Sequence, residues 1–123
     1  PDGAHMALAD FDRNRVHVRA RSVGRYGRGP GQFRRPVDVA FTPDGQHLVA
    51  ADWNSDRIQV VGLDGTFVRE MRFLGPLGVS VDRLGNIVAL SENNIKLSVF
   101  SPTGELLQDK LGGLTLQEPC AWQ

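Results

Sequence analysis

The sequence predicts an all-β fold built from a repeated unit of about 40 residues. Three observations carry this. The stretch "PDGAHMALAD" (Pro1 to Asp10) aligns without a gap on "PDGQHLVAAD" (Pro43 to Asp52). Short β-branched runs recur between Gly, Pro, Asp and Asn, as strands between turns do. Three prolines, Pro36, Pro76 and Pro119, mark one register along the chain. Four short strands per unit of this length is the arithmetic of a β-propeller blade. The sequence shows no ten-residue window with convincing helical spacing, which argues against helical arrays.

The elements follow in order. "VDVAF", "HLVAA", "RIQVV" and "TFVREM" make one complete unit between Val37 and Met71. "VDVAF" and its counterpart "LGVSV" are predicted to be innermost strands. Asp44-Gly45 and Asp64-Gly65 are hairpin turns, because glycine takes a positive φ at low cost; Thr103-Gly104 does the same in the third copy. The expected core is Val37, Val39, Phe41, Leu48, Val49, Ile58, Val60, Val79, Val81, Ile87, Val88, Leu97 and Val99. Arg15 matches Arg57, and each is expected to brace its unit by pairing with Asp10 or Asp52. The third copy, Arg83 to Phe100, departs from the pattern: Ser91 replaces the Asp and Lys96 the Arg.

The run Gly27 to Met71 carries "GxGPGQF" as Gly27, Gly29, Pro30, Gly31, Gln32 and Phe33, then the Pro, "PDG", "AD" and "RIQV" in order. On these residues the chain resembles the NHL repeat family, whose members form six-bladed β-propellers. The third copy is the exception, since "FLGPLG" skips "GPGQF" and "SENNIK" lacks the Asp. The resemblance implies a non-catalytic binding scaffold, a propeller that offers one loop face to a protein partner or to single-stranded RNA. In relatives that also carry RING and B-box modules, it implies the substrate-recognition part of a ubiquitin ligase.

The chain has 123 residues. A six-bladed ring at this period needs about 240. The expected fold is therefore a propeller segment of about three four-stranded blades, circularly shifted. Residues 1–35 hold strands two to four of one blade plus a linker, 36–75 a full blade, 76–118 a divergent full blade, and 119–123 the start of another. Closure is expected from the remaining blades of a longer chain or from self-association, so the chain as given is not expected to be a stable monomer. The one cysteine, Cys120, allows no intrachain disulfide and fits a cytoplasmic protein. No run of 18 apolar residues points to a membrane.

Formal net charge is zero, but it is split. Residues 1–36 hold eight Arg against three Asp, a balance of +5, and the remainder carries −5. Such asymmetry suggests an anionic partner. Propeller topology puts the loops between strands two and three, and those between blades, on one face. Arg13, Arg28, Arg34 and Arg35 then share that face with Phe11 and Trp53. Guanidinium groups beside aromatic rings suit phosphates and bases. These six residues are the predicted ligand-binding face. Arg19, Arg21 and Arg25 read as an outer edge whose charge deters aggregation.

No catalytic residue, metal ligand set or cofactor motif is expected. His5 and His47 repeat at one strand position, and His17 alternates with Arg. No zinc-ligand spacing and no nucleophile elbow is present. The chain is thus expected not to be an enzyme. The alternative is a six-bladed propeller enzyme of lactonase or lyase type with a metal at the channel mouth, for which Asp52, Asn54, Glu92, Asn93 and Asn94 are the residues that could converge.

Overall fold

The computed structural model describes residues 7–10, 14–18, 21–91 and 96–111. Strands β1 (Ala7–Asp10), β2 (Arg15–Val18) and β3 (Arg21–Val23) form a first antiparallel sheet. The second contains β4 (Pro36–Phe41), β5 (His47–Asp52), β6 (Arg57–Gly62) and β7 (Phe67–Arg72), and the third β8 (Pro76–Val81), β9 (Ile87–Ser91), β10 (Lys96–Phe100) and β11 (Leu106–Leu111). Each sheet is ordered as the chain runs, with antiparallel neighbours. Strand β4 packs beside β8 and also beside β1, so β4 and β8 are the innermost strands of their sheets. No α-helix occurs among the described residues; Trp53–Ser55 is a single 3-10 turn.

Turn chemistry closes the hairpins as expected. Gly45, Gly65, Gly85 and Gly104 all take positive φ. Before the second sheet, Gly31 has a φ of 76°, and a Cβ there would lie 3.1 Å from the Gly65 carbonyl oxygen. Backbone conformation and close approach both require glycine at that point. The repeat also reaches irregular features. Register shifts fall between Pro36 and Asp38 in β4 and between Pro76 and Gly78 in β8. Each of these strands starts on a buried proline, where the missing N–H costs the ladder little.

Side-chain alternation makes the second sheet a two-sided wall. Leu48, Ala50 and Val61 pack toward the first sheet with Val16, Val23 and Phe33. Val49, Ala51, Ile58, Val60, Met71 and Phe73 pack toward the third with Val79, Ile87, Ala89 and Phe100. Complete burial of such a side chain contributes about 1.5–3 kcal/mol, and Leu48, Val49 and Ile58 are fully buried.

The expected core is thus correct for Leu48, Val49, Ile58, Val60, Val79 and Ile87 and too generous for the rest. Val37, Val39, Phe41, Val81, Val88, Leu97 and Val99 are half-buried. Val37, Val39, Phe41 and Val81 sit on the innermost strands, which have no strand on their inner side. Val88, Leu97 and Val99 alternate with the buried Ile87, Ala89, Ser98 and Phe100, so they lie on the face of the third sheet turned away from the second.

Candidate functional site

Strand register decides which loops share an edge. Pro36 pairs with Asp52, Asp52 with Arg57 and Arg57 with Arg72, so one edge of the second sheet carries the Trp53–Asp56 turn and both inter-sheet linkers. The hairpins at 42–46 and 63–66 lie at the opposite edge.

A buried polar hub holds the linker to that edge. Asp52 is fully buried, and its Oδ1 accepts the Arg35 N–H at 2.7 Å while both oxygens accept the Arg34 N–H at 3.1 Å. Arg57 is 4% exposed. Its Nη2 donates to the carbonyls of Gly29 (3.0 Å) and Gln32 (2.6 Å), and its Nη1 to Glu70 Oε1 (2.9 Å). Gln59, also fully buried, accepts the Gly31 N–H and donates to the Gln32 carbonyl. A Cβ at Gly29 would lie 2.8 Å from the Gln32 side-chain oxygen, so the linker's own fold calls for glycine there. The expected Arg57–Asp52 brace exists at 3.7 Å, but the closer carboxylate partner is Glu70. On the first sheet, Asp10 holds His17, Nε2 to Oδ2 at 2.8 Å.

The hub roles of Glu70 and Gln59 escaped the sequence reading, which had Gln32 only as a member of the linker motif. A signal was present: Arg57 and Glu70 recur as Lys96 and Asp109, which pair at 3.3 Å. Position 33 also recurs. Phe73 takes the place of Phe33 before the third sheet, and both are buried. The third copy therefore lacks the glycine-rich excursion but keeps its aromatic anchor.

Of the predicted face, Phe11 and Arg13 lie outside the described residues. Arg28 is exposed and lines a cleft of about 340 Å³ with Asn54, Ser55, Asp56, Arg57, Glu70 and Arg72. Trp53 is half-buried and lines a separate recess of about 410 Å³ with Asn54, Asp56, Leu74, Gly75, Ser91 and Lys96. Arg34 and Arg35 meet the hub through their backbone N–H groups, and the Arg35 carbonyl accepts the Trp53 N–H at 3.0 Å. The structure thus brings Arg28, Arg34, Arg35 and Trp53 to one edge and sets Arg28 and Trp53 in different recesses beside the same turn.

The metal alternative finds no ligand set among the described residues, where no three His, Cys, Asp or Glu side chains gather. The Asp52 oxygens are occupied by the linker, and Glu92, Asn93 and Asn94 lie outside the described residues. The described residues do not fit a metal. No helix among them is long and apolar enough to cross a membrane.

No protein-family model matches the chain, so the likeness to the NHL repeat stays a resemblance. No curated protein matches it either. Solved structures do. Kuenenia stuttgartiensis hydrazine synthase is similar at a TM-score of 0.71 and 18% identity, over 89% of this chain and 33% of that one. Regucalcin, a calcium-binding protein from Agrobacterium tumefaciens, is similar at 0.51 and 18%, over 63% and 30%. XC5397 from Xanthomonas campestris, a gluconolactonase, is similar at 0.50 and 27%, over 63% and 27%. The chain spans about a third or less of the length of each. The two matches at 18% identity speak for fold alone. The gluconolactonase corrects the expectation that the chain is not an enzyme, because it is a named propeller enzyme that shares both this arrangement of sheets and over a quarter of the aligned residues. Taken with the three antiparallel sheets and their common loop edge, the matches establish the fold as that of a β-propeller whose ring this chain does not close.

Proposed function

We propose that the chain is part of a six-bladed propeller enzyme of the lactonase or lyase type, with its reaction centre at the channel mouth, on the edge where β4 and β8 begin. The observation that carries this is the 27% identity to a gluconolactonase over 63% of the chain. The described residues would supply the wall of that mouth. Asp38, on the innermost strand β4, accepts the Val39 N–H at 3.0 Å and reaches across to accept the Val79 N–H of β8 at 2.9 Å. Its carboxylate ties two innermost strands together at the channel, a positioning role.

The test is proton release from lactones by the full-length protein, followed with a pH indicator. Glucono-δ-lactone and unsubstituted γ- and δ-lactones are the probes, each against its spontaneous hydrolysis. Turnover above that background is expected. A rate that does not change with added protein overturns the reading.

A second reading rests on the placement of Arg28, Arg34, Arg35 and Trp53 at one edge: a binding face, of the NHL kind, for a protein partner or single-stranded RNA. Arg28 and Arg35 are exposed there, as a ligand-binding face requires.

A further inference from the structure

The two linkers between sheets differ, and the difference leaves a recess. Before the second sheet, the chain from Gly24 to Gln32 crosses Arg57 and Gln59, and the backbone at Arg34 and Arg35 is drawn onto Asp52. Before the third sheet, β7 ends at Arg72 and Phe73 follows at once. Asp52 is replaced by Ser91, whose Oγ accepts the Lys96 N–H at 2.9 Å. The short linker is held from the opposite side. Asp56 accepts the Gly75 N–H on Oδ1 at 2.8 Å and the Phe73 N–H on its carbonyl at 3.1 Å. The linker leans toward the second sheet, and the recess of about 410 Å³ lies between it and Ser91 and Lys96.

The chemistry of that recess is specific. Trp53 and Leu74 give apolar walls, and Leu74 is 73% exposed. Lys96 is the cation. Its Nζ lies 3.3 Å from Asp109 and 5.9 Å from the Phe73 ring centroid, and both members of the ion pair are more than two-fifths exposed. Such a surface pair is weak and yields readily to a ligand carboxylate. Asp56 is the anion, with Oδ1 engaged by Gly75. Among the described residues that line it, an apolar wall with one cation and one anion complements a zwitterion with an apolar side chain.

We propose that this recess binds an apolar α-amino acid, its side chain against Trp53 and Leu74, its carboxylate toward Lys96 and its ammonium toward Asp56. The proposal does not depend on the lactonase reading.

The repeat supplies the variants, and the folded state of each is checked by its amide NMR spectrum before titration. Ser91→Asp installs the residue the second sheet carries at that position, and places a second anion beside the carboxylate subsite. Asp56→Asn installs the residue the first sheet carries; Asn14 there has a φ of 59°, against 52° for Asp56. The experiment is a titration of the protein with L-phenylalanine, read as the shift of the Trp53 indole N–H in nitrogen-15 NMR. L-phenylalaninamide and N-acetyl-L-phenylalanine remove one charge each. Saturable binding of phenylalanine is expected, weakened at least about tenfold with either derivative, which is 1.4 kcal/mol. Lys96→Gln should erase the preference over the amide, Asp56→Asn the preference over the acetyl compound, and Ser91→Asp should abolish binding. No shift up to about 10 mM, a range in which affinity is already negligible, overturns the proposal. Equal binding of all three compounds, or unchanged binding by Ser91→Asp, overturns it as well.

Discussion

Arg57 Nη1 lies 2.9 Å from Glu70 Oε1, and the same guanidinium also holds two carbonyls of the preceding linker. One side chain thus joins the edge of the second sheet to the chain that enters it. The two acids around it differ in setting. The Asp52 side chain is fully buried, and the Glu70 side chain is 40% exposed.

That difference ranks two substitutions. Arg57→Ala would leave buried Asp52 without its cation and the Gly29 and Gln32 carbonyls short of a donor. Removing one member of a buried charged pair costs about 3–5 kcal/mol. Glu70→Gln touches only the exposed member and should cost about 0–1 kcal/mol. Urea unfolding of both variants checks the order; equal losses would show that burial does not rank the two groups.

Phe73 is 3% exposed and meets Phe100 edge to face, with ring centroids 6.4 Å apart. Phe73→Ala should therefore destabilise by about 3–5 kcal/mol. Phe33→Ala should fall in the same range, since the two rings hold equivalent places. Thermal unfolding decides this, and a loss below about 1 kcal/mol at Phe73 would be that of a surface residue.

Asp44 reports on the opposite edge. The Thr42 hydroxyl, at 2.6 Å, is first in holding its carboxyl below the usual carboxylate range; the Gln46 N–H at 3.0 Å adds to this. A carboxyl with a depressed folded pKa stabilises the fold above its unfolded pKa, about 3.9. That contribution is lost as pH falls through the folded value. Thr42→Val should raise the Asp44 titration midpoint toward the ordinary value, read by carbon-13 NMR of the side-chain carboxyl. An unmoved midpoint would remove Thr42 as the main cause.

The binding-face reading predicts a salt dependence. With three phosphates neutralised on single-stranded RNA, log affinity should fall with log salt at a slope of about −2. Replacing Arg34 and Arg35 together by Ala should flatten that slope. The backbone N–H groups that both residues give to Asp52 are retained by alanine. Trp53→Ala should cost about 1–3 kcal/mol of stacking with the slope nearly unchanged. Filter binding of the full-length protein to random RNA tests this, and no retention at low salt removes nucleic acid from consideration.

The repeat, the strand order, the positive-φ glycines and the edge that holds Arg28, Arg34, Arg35 and Trp53 were all legible from residue order. They rest on local signals: the period-two pattern, turn chemistry, and the antiparallel rule that sends alternate loops to alternate ends. The tertiary structure decided the rest. It chose Arg57 and Gln59 as partners for the linker carbonyls and Glu70 as the partner of Arg57, since a buried donor pairs with whichever backbone carbonyl arrives, and spacing along one strand does not specify that. It buried Phe73 where Phe33 stands, a match the proline register already aligns but whose packing only the neighbouring sheets supply. It left Val88, Leu97 and Val99 half-buried while Ile87 and Ala89 are closed over. Alternation says which side chains share a face; only the packing of neighbouring sheets says whether that face is covered.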